Sequence, residues 1–225
     1  MLRVAIVLAL VGIPLGCIPA AEPLKIRSES LDLPADAPES IRNVLTKDAV
    51  TLLDNAGEAW MTFWMRPELA SSGTAEQAAN GLTYEEIPAT TLIGLVKIHK
   101  PWTDFRKQLM TAGIYTLRIA VQPKTGEHEG TAPYTDFALL TPIAKDTSAD
   151  RIDVRTLHQR SMSTTGGVHP GVVLLFPNFS PKDAASITSE DDGIQVIRIK
   201  TQATVGEKKF PFGIGIVVTG ATKAV

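Results

Sequence analysis

The residues able to do chemistry in this chain of 225 are few, and most stand in small groups. His128 lies between Glu127 and Glu129, and His169 sits in a second polar stretch, "STTGGVHPG". An imidazole beside a carboxylate suits a divalent metal, and flanking carboxylates raise a histidine pKa. The metal set this pattern predicts is His128, Glu129 and His169. Tyr134, Asp136 or Asp104 would be further ligands or orienting groups if the two loops meet at one end of a sheet. Neighbours in an extended loop point different ways, so Glu127, His128 and Glu129 do not converge unaided. The simpler expectation is a solvent-exposed connection at 123–135 and a turn at His169-Pro170.

Other chemistries have less to stand on. Glu85-Glu86 would serve a two-carboxylate glycosidase only with a third acid at the right separation. Nucleophile elbows, phosphate-cradling glycine loops and zinc spacings are absent from the sequence. Asp191-Asp192-Gly193 lacks the alternating ligands of a calcium loop. Trp60, Trp64 and Trp102 would make a platform for sugar rings if exposed, but the strand carrying the first two is apolar on both faces, which favours burial.

The elements that must position these residues read mostly as strands. "FPFGIGIVVTG" puts Phe210, Phe212, Ile214, Ile216 and Val218 on one face, with Gly213 and Gly215 on the other. Those glycines either admit another chain or ligand closely or allow a twist or bulge. Upstream, "GIQVIRIKTQA" changes phase between Val196 and Ile197, predicting a bulge or a step buried on both sides, so Gly193 to Gly220 reads as a terminal hairpin. Asn55 to Gly57 turns an earlier hairpin. Thr90 to Lys100 and Val172 to Phe176 read as strands. Glu68 to Leu82 reads as a loop with room for a short helix, and Thr147 to Ser161 as a helix, with Thr147 and Asp150 at capping-box spacing. Short strands with Gly and Pro punctuation and one or two helices predict an all-β antiparallel sandwich.

"AGIYTLRIAV" resembles the strand start of bacterial immunoglobulin-like and related β-sandwich modules. The resemblance implies that Tyr115 packs where the chain enters a central strand, its hydroxyl bonded to backbone. The longer string, Gly113 to Leu140, is similar to exported bacterial proteins of about this length. It implies export and a β-rich fold, and carries no activity or substrate.

The first residues point the same way. Arg3, the apolar run Val4 to Leu15 and small residues at Gly16, Ala20 and Ala21 have the layout of a secretory signal peptide, with cleavage expected after Ala20. Residues 1–20 are then a leader and 21–225 a single β-sandwich domain. Leu15-Gly16-Cys17 resembles a lipoprotein signal, with Pro14 departing from the pattern, so a lipid anchor at Cys17 is the alternative. Cys17 is the sole cysteine, so stability must come from a hydrophobic core and not from disulfides. Net charge is −2 with charges scattered, which argues against nucleic acid as partner. Beyond the leader no apolar run is long enough for a transmembrane helix. The expectation is a non-catalytic binding or accessory module of the cell envelope, periplasmic or extracellular, with a protein or glycan partner. The alternatives are a metal-binding protein or metal-dependent enzyme using the loop histidines, and a carbohydrate-binding module.

Overall fold

Alternating β-branched and aromatic residues between Gly, Pro and Asn turn signals favour antiparallel hairpins, and hairpins dominate this chain. The computed structural model describes residues 24–121, 132–167 and 169–222. Its strands are β1 (Lys25–Ser30), β2 (Asp48–Leu53), β3 (Ala59–Met65), β4 (Glu68–Ala70), β5 (Leu92–Ile98), β6 (Trp102–Thr103), β7 (Leu109–Met110), β8 (Gly113–Val121), β9 (Asp136–Pro142), β10 (Gly171–Pro177), β11 (Ser186–Ser189), β12 (Gln195–Val205) and β13 (Lys208–Thr219). Three short helices accompany them: α1 (Glu39–Arg42), α2 (Ala75–Asn80) and α3 (Val154–Met162). The leader, the cleavage position and Cys17 lie outside the described residues.

The all-β class is as the alternation predicts. Strands that a sandwich would divide between two sheets are joined here into one, in the order β1-β2-β3-β5-β8-β9-β10-β13-β12-β11, with β4 beside β12. The join is β10. Gly171 to Leu174 pair with β9, whereas Leu175 to Pro177 pair with β13, so the strand passes from one half of the sheet to the other. Strands that change sheets in this way make the corners of two-layer β structures. Phe63, Val96 and Leu117 from one half and Ile197, Ile214 and Ile216 from the other share a single main core. The void left between the halves is about 10 Å³, at or below what one water needs.

Both faces of the central strands are covered. Trp64, on the outer side of β3, packs with Ile41 of α1 and Leu95, and its indole N–H donates to the Leu31 carbonyl at 3.2 Å. This covering layer is why β3 is apolar on both sides. Val196 and Ile197 are both fully buried, the first toward Phe105 and Val217, the second toward the main core, with a register shift at Gln195/Val196. The predicted phase change is therefore both a bulge and a two-sided burial. The terminal hairpin turns at Gly206-Glu207, and the first hairpin at Asn55 to Gly57.

The helix predicted over Thr147 to Ser161 is real only in its second half. Asp153 caps α3 by accepting from the Thr156 N–H at 3.0 Å, and no helical turn starts at Thr147. The reason is Arg118 of β8, which alternation places on the polar side of its strand but which is 0% exposed. Its Nε and Nη2 donate to the two carboxylate oxygens of Asp146 at 2.6 and 3.0 Å, and Nη2 also donates to the Ser148 carbonyl. Its Nη1 donates to the carbonyls of Thr90 and Asp150 at 2.8 and 2.9 Å. The segment 146–150 is thus held non-helical because its carbonyls serve a buried guanidinium. The Glu68 to Leu82 stretch has the short helix expected of it and a short strand besides. It holds β4 and α2, the latter closed by a capping box between Thr74 and Gln77.

Candidate functional site

Tyr84 organises a solvent-facing cleft at one end of β10. It begins a single turn of 3-10 helix, Tyr84–Glu86, capped by Thr83, whose backbone and hydroxyl donate to Glu86 Oε2 at 2.6 and 2.8 Å. The Gln77 side-chain amide donates to the other oxygen of Glu86 at 3.1 Å, tying this turn to α2. The Tyr84 ring is buried edge-on against Phe212. Its hydroxyl accepts from the Gly215 N–H at 2.9 Å and donates to the Phe176 carbonyl at 3.0 Å. Phe176 and Gly215 face one another across β10 and β13, so the phenol bridges the two strands at the corner of the sheet. Burial pushes the Tyr84 hydroxyl pKa well up, so it stays protonated and able to donate.

The glycines of β13 make this corner possible. A Cβ on Gly213 would lie 2.1 Å from the Asn178 carbonyl oxygen, and one on Gly215 would lie 2.6 Å from the Phe176 carbonyl oxygen. The close approach that the smooth glycine face suggested is therefore made by the chain's own β10.

Around Tyr84 opens a cleft of about 280 Å³, lined among others by Leu82, Glu85, Asp136, Asn178, Phe179 and Phe212. Phe179 is 70% exposed at the cleft. Glu85 is exposed, and Asp136 is half-buried as the first residue of β9. Burial first, then the charges of Glu85 and Glu86, hold the Asp136 carboxyl pKa above its ordinary value. Sequence reasoning named Glu85, Glu86 and Asp136 separately, for different chemistries. It had no signal for bringing them together, because Glu85 and Asp136 are far apart in the chain and meet through the curl of the sheet. For Phe179 the available sequence signal is an aromatic between Asn178 and Ser180 in a loop.

The predicted metal residues are placed as follows. His128 and Glu129 lie outside the described residues. His169 is exposed, and its carbonyl accepts from the Thr165 hydroxyl. Val121 and Asp136, which bracket the loop carrying His128, pair at one end of β8 and β9. Gly171, two residues after His169, pairs with Leu140, about 13 Å further along β9 at the strand rise. The two connections thus leave different ends of neighbouring strands. Among the described residues no group of three or more His, Asp or Glu is arranged to hold a metal.

The other residues raised as ligands have other occupations. Asp104 is 0% exposed and accepts from the backbone N–H groups of Arg106, Gln108 and Val172 and from the Gln108 amide, all at 2.8–3.2 Å. Its carboxylate pins two loops, and burial still pushes its pKa up. Tyr134 packs edge-on against Phe176, with centroids 4.6 Å apart. His99, a histidine outside that set, shares a hydrogen bond with the Thr62 hydroxyl at 3.0 Å, and burial with nearby Lys97 lowers its pKa. The tryptophans form no platform. Trp64 and Trp102 are buried, the Trp102 N–H donating to the Val218 carbonyl at 2.8 Å, and Trp60 is half-buried within an irregularity of β3.

Tyr115 has the bonding that the resemblance implies. It is buried at the start of β8, and its hydroxyl donates to the Thr111 carbonyl at 3.0 Å, four residues upstream. No protein-family model matches the chain, and no curated protein or solved structure matches it either.

Proposed function

We propose that this protein is an exported, non-catalytic binding module of the cell envelope or its exterior, and that it holds its ligand in the cleft beside Tyr84. One observation carries the reading: at the corner of the sheet an exposed Phe179 shares a concavity with the carboxylates Glu85 and Asp136. Ligand sites typically combine apolar walls with a few polar groups and a perturbed carboxyl, and solvent-facing aromatic surface in a cleft is left for a partner to cover.

The export part of the proposal rests on Arg3, the Val4 to Leu15 run and the small residues before Ala21. A lipid anchor at Cys17 remains its alternative form. The Tyr115 to Thr111 bond supports the resemblance to immunoglobulin-like modules, in which such a tyrosine fixes the chain at a strand corner. No described helix is long and apolar enough to cross a membrane.

The test is a titration of ¹⁵N-labelled protein with two probes, an N-acetylglucosamine oligomer and a basic peptide, followed by backbone amide shifts. Shifts gathered at Leu82 to Glu85, Asp136, Asn178, Phe179 and Gly213, and weakened in Phe179→Ser, are the expected outcome. Shifts elsewhere on the sheet with the cleft silent would reject it as the site.

A further inference from the structure

We infer that the ligand of the cleft presents an organic cation on an apolar stem, a primary ammonium of lysine side-chain size, and this inference rests on the cleft being the binding site. The Tyr84 hydroxyl is committed inward to the Phe176 carbonyl, and the Asn178 amide directs one N–H toward the Ile199 carbonyl at 3.5 Å. The cleft's free capacity is mainly acceptor capacity, at Glu85 and Asp136. An ammonium brings three donors and no acceptor, so it matches such a site, whereas an anion is repelled and a neutral hydroxyl satisfies one carboxylate at a time.

Charge balance leads to the same class. The described ion pairs lie elsewhere, at residues such as Asp54, Glu68, Asp146 and Glu190. Arg198 is the nearby cation whose charge reaches Tyr84, and it is engaged: with Glu190 at 2.7 Å, the Pro177 carbonyl at 2.8 Å and the Thr188 hydroxyl at 3.0 Å. Glu86 is occupied by Thr83 and Gln77. Burial, and after it the charges of Glu85 and Glu86, disfavour the ionised Asp136, and a positive group in the cleft offsets that cost.

Size and wall chemistry set the remainder of the ligand. The cleft of about 280 Å³ sits at the bottom of the size range for drug-sized ligands, so it accepts one side chain or a small molecule. Leu82, Pro177 and Phe212 supply apolar wall for a methylene stem, and the exposed Phe179 is an aromatic lining residue of the kind that attracts a cation.

The test compares three probes at low salt by amide shifts of the ¹⁵N-labelled protein: Nα-acetyl-lysine methylamide, the neutral Nα-acetyl-norleucine methylamide, and n-pentylamine. The expected result is cleft shifts with the lysine derivative and none with the norleucine derivative. Glu85→Gln and Asp136→Asn should each weaken binding about fivefold, the effect of a partly exposed ion pair of up to about 1 kcal/mol. Both substitutions keep side-chain volume, and unchanged shifts of β2, β3 and β8 amides verify that the variants fold. Pentylamine binding as well as the lysine derivative identifies a free amine as the source. Binding by the lysine derivative alone identifies a polypeptide lysine. Equal cleft shifts from norleucine, or insensitivity to both substitutions, overturn the cationic inference while the cleft stands as the site. Silence of the cleft toward all three probes overturns the cleft as a site and this inference with it.

Discussion

Replacing Arg118 by Met probes the joint between the sheet and its outer layer. The guanidinium is 0% exposed and spends all its N–H groups on Asp146 and on the carbonyls of Thr90, Ser148 and Asp150. Met fills most of the volume but leaves the Asp146 carboxylate, itself 0% exposed, with the Thr116 hydroxyl at 2.6 Å and Arg160 at 3.5 Å. Removing one partner of a buried pair costs roughly 3–5 kcal/mol, and the presence of Arg160 places this case near the lower end, about 3 kcal/mol. For a chain of this size that is a fall in Tm of about 6–12 °C. The assay is urea unfolding followed by far-ultraviolet circular dichroism, with Asp146→Leu and the double variant completing a cycle. The double variant should recover much of the loss, because no unpaired charge then remains inside. A single variant within about 1 kcal/mol of the parent, or a double variant no better than the single, would refute the claim that this pair holds 146–150 against the sheet.

Tyr84→Phe strands the Gly215 N–H and the Phe176 carbonyl, and at roughly 1–3 kcal/mol for each buried unsatisfied group the expected loss is about 2–6 kcal/mol. Faster hydrogen exchange at the Gly215 amide would accompany it, and an unchanged exchange rate would mean the strands close without the phenol. Gly213→Ala drives a methyl into the Asn178 carbonyl and should destabilise by about 1–3 kcal/mol, read in the same unfolding assay. Asp136→Asn tests the pH dependence. Because the folded pKa is raised, the native charge opposes folding above that pKa, and the opposition disappears as pH falls through it toward the ordinary aspartate value. The variant should therefore have the higher Tm at pH 7 and lose that advantage in acid; a gap constant with pH would contradict it. Thr90 has φ 68° and a buried hydroxyl with no partner among the described residues, so Thr90→Gly should raise stability by about 1 kcal/mol after glycine's entropy is counted, as a calorimetric Tm would register.

Local order was legible wherever it depends on neighbours in the chain. The turn at Asn55 to Gly57, the terminal hairpin, the double-faced β3 and the disturbance near Val196 follow from side-chain alternation and turn chemistry, which act over a few residues. The helix start was misplaced, because the Thr147 spacing is a local signal and the competing demand comes from Arg118, distant in sequence. Arg118 itself reads as a solvent-facing residue of an alternating strand, since nothing in its neighbours announces that Asp146 and three carbonyls will enclose it.

The sequence by itself determined the all-β class, the hairpins, the dependence on a hydrophobic core and the cue for export. The tertiary structure alone decided that all the strands but β6 and β7 form one curled sheet turned at β10, and that Glu85, Asp136 and Phe179 share a cleft. Hairpin pairing is encoded in periodicity, whereas the meeting of residues from opposite halves of the sheet depends on Gly213, Gly215 and Tyr84 letting β10 cross from one half to the other. That crossing is a long-range packing outcome, and side-chain periodicity carries no information about it.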